Sequence, residues 1–262
     1  MYTVRKEVNL DAVSALRQQY IASLAGPLEP YIEELISFSQ RVYSICWQGC
    51  LIGYFCVSSK GTLLQFYVVD DHIQHVHTIF GQLLNEGYFQ QAFAMTRDRL
   101  GTSVCLEFQK TVAVKCYLFE DSSASPLGWP ALPGSTFRLA TNDDIPLIRA
   151  VTGDFHDVLD YTLEMAVADQ GIHVLLLDGE LLASGVIVRQ KAQPTYADIG
   201  MFVNARHRQQ KIGTRMIALL RGYCHQHSIT PLASCQFENA ASKRTLERAG
   251  LVSRDRIFRI TF

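Results

Sequence analysis

Apolar and polar positions along this chain predict two successive rounds of the same order of elements. In the first round Thr3–Lys6 predicts a short strand, and Leu10, Val13, Leu16, Tyr20 and Leu24 fall on one helical face. Pro30–Gln40 predicts a second helix. Ser44–Trp47, Leu51–Ser58 and Thr62–Val69 then read as strands separated by glycine turns. His72–Glu86 reads as a helix, with Gln91–Met95, Val104–Phe108 and Thr111–Leu118 as further strands.

The second round begins with a strand at Thr136–Leu139 and a helix at Asp143–Thr152, capped by Thr141 or Asn142 and tolerating Pro146 in its first turn. Tyr161–Ala168 predicts another helix. Gly171–Leu177 and Leu181–Arg189 form a hairpin around the turn pair Asp178–Gly179. Tyr196–Val203 is the next strand. A helix follows that opens near Ile212–Gly213, with Ile212, Met216, Leu219, Leu220 and Tyr223 as its apolar stripe. Thr230–Cys235 is a strand, Asn239 can cap a helix running through Leu246 and stopping at Gly250, and Ile257–Phe262 closes the sheet.

Between the rounds lies EDSSASPLGWPALPGS (Glu120–Ser135), whose prolines, glycines and serines mark a linker. It divides the chain into domains at 1–119 and 136–262, joined by 120–135. The openings match at constant spacing: Thr3, Arg5, Asn9 and Asp11 recur as Thr136, Arg138, Asn142 and Asp144, which suggests duplication. Mixed helices and hairpins predict an α+β fold, each half a mixed, largely antiparallel sheet flanked by helices.

The net charge of −1 provides no global attraction for nucleic acid or an anionic membrane, and no apolar run approaches a membrane span. The charged start MYTVRKEVNLDAV does not read as an export signal. The 7 cysteines contain no C-x-x-C pair and read as buried reduced thiols, so a cytoplasmic location is expected. His72, His75 and His77 near Asp70 and Asp71 do not share one helical face, and no metal site is expected.

The chemistry concentrates at YADIGMFVNARHRQQKIGTRMIALLRGY (Tyr196–Tyr223). A strand feeds a basic loop (Asn204–Lys211) into a helix N-terminus, which is an arrangement suited to an anion. Successive amides from Gln209 to Thr214 can converge on one oxyanion. Arg206, Arg208, Lys211 and Arg215 add positive charge, and Gly213 has no Cβ to block a phosphate. Taken alone, the loop also reads as a solvated turn.

A second motif follows at Asn239–Leu251. Val203-x-x-x-x-Arg208-x-x-Lys211-Ile212-Gly213-Thr214 and Asn239-x-x-Ser242-x-x-x-Leu246-Glu247-x-x-Gly250-Leu251 together resemble the two signature segments of the GNAT N-acetyltransferase superfamily. The resemblance covers Thr136–Phe262 and implies acetyl-CoA as cosubstrate. It implies that Met201, Phe202 and Val203 pair with the pantetheine arm as if it were an added strand. Arg208 and the amides of Gln209, Gln210, Lys211, Ile212, Gly213 and Thr214 would surround the pyrophosphate, with Asn239 and Ser242 contributing from the second motif. Two positions depart from the family pattern: Lys211 replaces its first glycine, and Leu246 replaces the tyrosine that protonates the leaving thiolate.

Acetyl transfer to an amine needs a base, an oxyanion donor and a proton for the thiolate. Asp198, with side-chain parity opposite to Ile199, is the candidate base, read also as a surface or hairpin-pairing aspartate. Ser234 and Cys235 are the candidate acids, and a backbone N–H of Met201–Val203 is the oxyanion donor. GDFHDVLDYTLE (153–164), carrying Asp154, His156, Asp157, Asp160, Tyr161 and Glu164, reads either as an acidic acceptor pocket for a cationic amine or as a solvated helix face. In the first half Val68-Val69-Asp70-Asp71-His72 stands where the loop should be, with two aspartates in place of cations. That half reads as a degenerate copy, shaping the acceptor cleft or making a homodimer contact. The expected partner is a small-molecule or peptide amine acceptor, with no nucleic acid and no membrane. The alternative is a non-catalytic acyl-CoA-binding or sensing protein.

Overall fold

The computed structural model describes residues 2–122, 129, 132–157 and 161–262; most of the linker interior (123–128 and 130–131) and Asp160 lie outside them. Two compact units result: Met1–Cys116 with Asp255–Phe262, and Tyr117–Arg254. Both have the α+β architecture expected, with mixed, largely antiparallel strand pairing.

Unit 1 contains β1 (Tyr2–Lys6), a 3-10 turn at Leu10–Val13, α1 (Ser14–Ser23), α2 (Pro30–Ser39), β2 (Val42–Trp47), β3 (Cys50–Val57) and β4 (Thr62–Val68). A second 3-10 turn (Asp70–His75) leads into α3 (Val76–Asn85), followed by β5 (Gln91–Met95), α4 (Arg99–Glu107) and the first part of β6 (Thr111–Asp121). Caps define its helix starts. Asn9 accepts the Asp11 N–H at 3.0 Å, and Glu29 accepts the Ile32 N–H at 2.8 Å beside Pro30.

The predicted strand at Val104–Phe108 is instead the end of α4. Asp98 accepts the Gly101 N–H at 2.8 Å and starts this helix, which buries Gly101, Val104 and Cys105. A short apolar run suits either a buried strand or one helix face, and here the upstream cap decides. His72–Glu86 likewise begins as the 3-10 turn rather than as regular helix.

Unit 2 comprises the end of β6, β7 (Ser135–Leu139), α5 (Ile145–Thr152), α6 (Leu163–Ala168), β8 (Ile172–Leu177), β9 (Glu180–Arg189), β10 (Tyr196–Val203), α7 (Ile212–Gln226), β11 (Thr230–Gln236), α8 (Ala240–Arg248) and the start of β12 (Leu251–Thr261). The turn before α5 carries a capping box in which Thr141 and Asp144 each satisfy the other's backbone, and Arg138 pairs with Asp144 at 2.7 Å.

Strand β12 departs from expectation. Ile257–Thr261 pair antiparallel with Met95–Gln91 of β5, so the chain's last strand completes the sheet of unit 1, whereas the linker position groups it with the second half.

Within unit 2, β7, β8, β9 and β10 pair antiparallel in sequence order. Helix α7 covers one face, burying Ile212, Met216, Ile217, Leu220 and Cys224 against Ala183, Ala197 and Ile199. Gly185 is what lets it approach, since a Cβ there would come within 2.5 Å of the Met216 Cε. Helices α5 and α6 cover the other face through Ile148, Leu163, Ala166 and Val167 on Ile172, Val174 and Leu181. Each large apolar side chain buried this way contributes about 1.5–3 kcal/mol.

Candidate functional site

Strands β10 and β11 run parallel, but their register covers only Tyr196↔Thr230, Ala197↔Pro231 and Asp198↔Leu232. On its other side β10 stays paired with β9 to the end, through Met201↔Gly185, Phe202↔Ser184 and Val203↔Ala183. Alternate backbone groups of Ile199–Val203 therefore face the side that β11 has left. Such a half-paired edge can take an extended, amide-bearing arm as an added strand. The predicted Met201, Phe202 and Val203 all lie on this edge and are only partly buried.

The chain leaves β10 through Asn204, which sequence reasoning did not single out. Its N–H donates to the Leu182 carbonyl at 3.0 Å, its amide NH2 to the Leu181 carbonyl at 2.9 Å, and its Oδ1 accepts the Arg206 N–H at 3.2 Å. An asparagine directly after a strand was the available signal. Gln209 and Lys211 both have φ of +63°, so Lys211 takes the left-handed conformation that glycine usually provides. It is the N-cap of α7, where no side chain caps the first-turn amides and no acidic residue occupies the first turn. These amides and the helix dipole present positive potential. Arg206, Arg208, Gln209, Gln210 and Lys211 are exposed around them, whereas Ile212, Gly213 and Thr214 are buried.

Gly213 has a packing role. A Cβ there would lie 3.2–3.3 Å from Val203, Met201 and Thr245, so its absence sets α7 close to β10 and α8. Lys211 and Arg215 approach the ring of Trp129 at 6.0 and 5.6 Å, and the Trp129 indole N–H donates to the Arg248 carbonyl at 3.1 Å. The Arg208 guanidinium lies 5.6 Å from the Phe202 ring.

At the start of α8 the Asn239 Oδ1 accepts the Ser242 N–H at 3.0 Å, which leaves the exposed amide NH2 able to donate elsewhere. Leu246 is buried at 3% exposure in the core that holds α7. Cys235 is buried in the same core, while Cys50 alone among the cysteines is exposed.

Ala197 and Ile199 face α7, so alternation puts Asp198, Gly200 and Phe202 on the opposite face of β10. The register Asp198↔Leu232 puts exposed Ser234 on that face too. Asp198 and Ser234 thus share one surface at the mouth of the split. Beside them the His156 ring Nε2 lies 2.7 Å from the Ser184 hydroxyl, and Phe155 stands 5.0 Å from Phe202. Burial pushes the His156 pKa down to about 4, which leaves the ring neutral near pH 7.

The described carboxylates of the acidic segment are paired close by. Arg149 of α5 bonds Asp157, grips Glu164 with one nitrogen at 2.9 and 3.1 Å, and lies 3.5 Å from Asp154. Asp157 also accepts the Leu163 N–H at 2.8 Å, and the Tyr161 hydroxyl donates to Asp169 at 2.7 Å. The described carboxylates of the segment are therefore gathered on one guanidinium and one helix start.

In unit 1, His75 stacks near Trp47 with ring centroids 6.3 Å apart, and His77 pairs with Glu107 at 2.6 Å. A shallow surface groove along α3 there is lined by His77, Gly81, Glu86 and Phe108. It contains none of the residues predicted to act.

The Acetyltransferase (GNAT) domain family matches residues 9–122, and the Acetyltransferase (GNAT) family matches residues 145–251. These two matches cover most of the chain, which belongs to the GNAT acetyltransferases as a tandem of two such domains. The fold is similar to that of an acetyltransferase from the GNAT family of Colwellia psychrerythraea, with a TM-score of 0.85, 20% identity and 99% of both chains covered. It is also similar to a GCN5-related N-acetyltransferase from Sphaerobacter thermophilus (TM-score 0.69, 12% identity, 99% of this chain and 95% of that one). A third similar structure is a tandem GNAT protein from the clavulanic acid biosynthesis pathway (TM-score 0.62, 13% identity, 100% and 98% covered). No curated protein matches the chain in sequence. No helix among the described residues is long and apolar enough to cross a membrane.

Proposed function

We propose that unit 2 moves an acetyl group from acetyl-CoA to an amine acceptor. One observation carries this reading: β10 parts from β11 after three paired positions, immediately ahead of a helix start whose first-turn amides have no side-chain cap and are surrounded by cations. The edge of Met201–Val203, where the Val203 carbonyl accepts the Arg208 Nε–H at 3.4 Å, suits the amides of a pantetheine arm. The amides of Gln209–Thr214, with Arg208 and Lys211, suit a pyrophosphate. Asn239 and Ser242 border the same region from α8.

Acetyl-CoA supplies an activated thioester, and the residues supply geometry and proton handling. Backbone N–H groups of the β10 edge can hold developing negative charge on the carbonyl oxygen. Asp198 takes the proton from the amine, directly or through water, and Ser234, an exposed hydroxyl on the same face, serves the thiolate side. Lys211 adds positive potential at the phosphates while its backbone fills the role of the absent glycine.

A second reading, a non-catalytic acyl-CoA-binding protein, draws on Leu246, which is buried in the core so that α8 offers no hydroxyl there. Calorimetric titration with acetyl-CoA, followed by thiol release over an amine panel, separates the two. Acetyl transfer predicts that Asp198→Asn lowers kcat/KM by about 100-fold or more while leaving acetyl-CoA affinity unchanged. Binding without turnover on any amine would establish the second reading instead.

A further inference from the structure

We propose that Trp129, carried by the linker, is the stacking platform for the adenine of the cosubstrate, and that Arg244 and Arg248 receive its 3′-phosphate. This inference deepens the acetyl-CoA reading of unit 2 and rests on it, and every residue it uses lies in that unit.

The position of the indole is the first argument. Leu132 fixes the end of the linker to unit 2 by packing against the core under α7, and its carbonyl accepts the Ser135 N–H at 2.9 Å. Trp129 is placed differently. It is partly exposed, and its ring lies over charged surface, 6.0 Å from the Lys211 Nζ and 5.6 Å from the Arg215 guanidinium. The indole N–H donates to the Arg248 carbonyl at 3.1 Å, which ties one edge of the ring to the end of α8. A flat side chain held at one edge and left partly in solvent keeps area for a second flat group, and a purine is such a group.

Charge is the second argument. Lys211 and Arg215 stand one turn apart at the start of α7, and the exposed Arg244 and Arg248 stand one turn apart on α8. The two helices meet where Gly213 faces Thr245. The carboxylate of α8, Glu247, is held by Lys243 at 2.6 Å, so the exposed charge left on that helix is positive. A pyrophosphate alone needs only the start of α7. Further cations on α8 beside a pinned indole suit a second anionic group next to a flat base, and CoA carries both on one ribose: adenine and the 3′-phosphate. Lys211 borders the loop amides as well as the Trp129 ring, so the nucleotide can pass from the loop directly onto the indole.

The test titrates acetyl-CoA, S-acetyl-3′-dephospho-CoA and S-acetyl-4′-phosphopantetheine, which lacks the nucleotide, into the protein by calorimetry. Trp129→Ala should weaken acetyl-CoA about tenfold or more and leave the phosphopantetheine thioester within about twofold. Trp129→Phe keeps an aromatic face and should recover most of that loss. Arg244→Gln with Arg248→Gln should weaken acetyl-CoA about tenfold and the dephospho analogue by less than about twofold. In a Trp47→Phe protein Trp129 is the sole tryptophan, and its emission should respond to acetyl-CoA and not to the phosphopantetheine thioester. Acetyl-CoA binding that is unchanged or tighter in Trp129→Ala, or weakened equally for all three ligands, would overturn the platform and leave the acetyl-CoA reading intact. Equal losses of acetyl-CoA and its dephospho analogue in the arginine variant would overturn the 3′-phosphate assignment. Failure of the parent protein to bind acetyl-CoA would instead remove the underlying reading, and the proposal with it.

Discussion

Units 1 and 2 share an element order and a split between parallel strands, yet only unit 2 keeps its split accessible. In unit 1 the register of β4 with β5 covers two positions, Thr62↔Gln91 and Leu63↔Ala92. Beyond it, every residue of β4 is buried. The loop between α1 and α2 reaches over the end of β5: the Ala25 N–H donates to the Arg97 carbonyl at 2.9 Å, and the Arg97 guanidinium donates to the Pro27 carbonyl. Leu28 and Glu29 are buried there at 0% and 3% exposure. The approach to α3 is a 3-10 turn with Asp70 and Asp71 in its first turn, where α7 has cations nearby. A shared topology thus provides the split, and the side chains that fill or surround it decide whether it can take an anionic cosubstrate.

The contrast is open to attack at each unit's buried arginine, where the largest effects are expected. Arg221 in unit 2 is 1% exposed and bonds Asp121, the Ala249 carbonyl at 3.0 Å and the Ser122 carbonyl at 3.2 Å. Arg97 in unit 1 is 2% exposed and pairs with Asp255 at 3.3 Å. Replacing either by alanine removes several hydrogen bonds of a buried guanidinium, while Asp121 keeps His225 and Asp255 keeps the Thr96 hydroxyl, and should cost on the order of 3 kcal/mol. With 2 tryptophans in the chain, Trp47 and Trp129, single-tryptophan variants report each unit's unfolding separately. Equal loss in both reports would show that the two units do not unfold independently.

pH should move the units in opposite directions. Burial pushes His156 and His173 of unit 2 from 6.5 down to about 4. Below 6.5 the unfolded chain binds more protons, so stability falls as pH drops from about 6.5 to 4, by at most about 3 kcal/mol for each histidine. In unit 1 burial raises Asp98 from 3.8 to about 6. Its contribution is full below 3.8 and is lost as pH rises through 6, on the order of 3 kcal/mol. Denaturant titrations at pH 7 and 5 should therefore weaken the Trp129 transition relative to the Trp47 transition, and His173→Phe should remove part of the difference.

Reversing charge at the helix start should have a smaller effect. Arg208→Glu with Lys211→Glu is expected to weaken acetyl-CoA binding about 100-fold, near 2.7 kcal/mol. Asp70→Lys with Asp71→Lys should create no binding in unit 1, because its split remains filled. Acetyl-CoA titration of a protein carrying all four changes tests this directly, and recovered affinity would contradict the account of the filled split. Smallest of all is Lys211→Gly. It relieves a left-handed lysine worth about 1 kcal/mol but removes one cation, so melting temperature should rise slightly and affinity change less than about tenfold.

The features legible in the sequence were set by near neighbours. Asn9, Thr141 with Asp144, and Asn239 cap the elements they precede, the turn Asp178–Gly179 joins β8 to β9, and the basic loop enters α7 where the apolar stripe begins. Capping, periodicity and turn chemistry act over two to five residues, so they can be read along the chain. The tertiary structure decided what depends on distant partners. It turned Val104–Phe108 into helix through the Asp98 cap and sent Ile257–Thr261 to β5. It gathered Asp154, Asp157 and Glu164 onto Arg149 and buried Leu246 under α7. Strand exchange and ion pairing depend on which surfaces meet after folding, and no local pattern encodes that. The sequence by itself determined a strand, an anion-ready loop and a helix; folding determined that one split stays accessible and the other is filled.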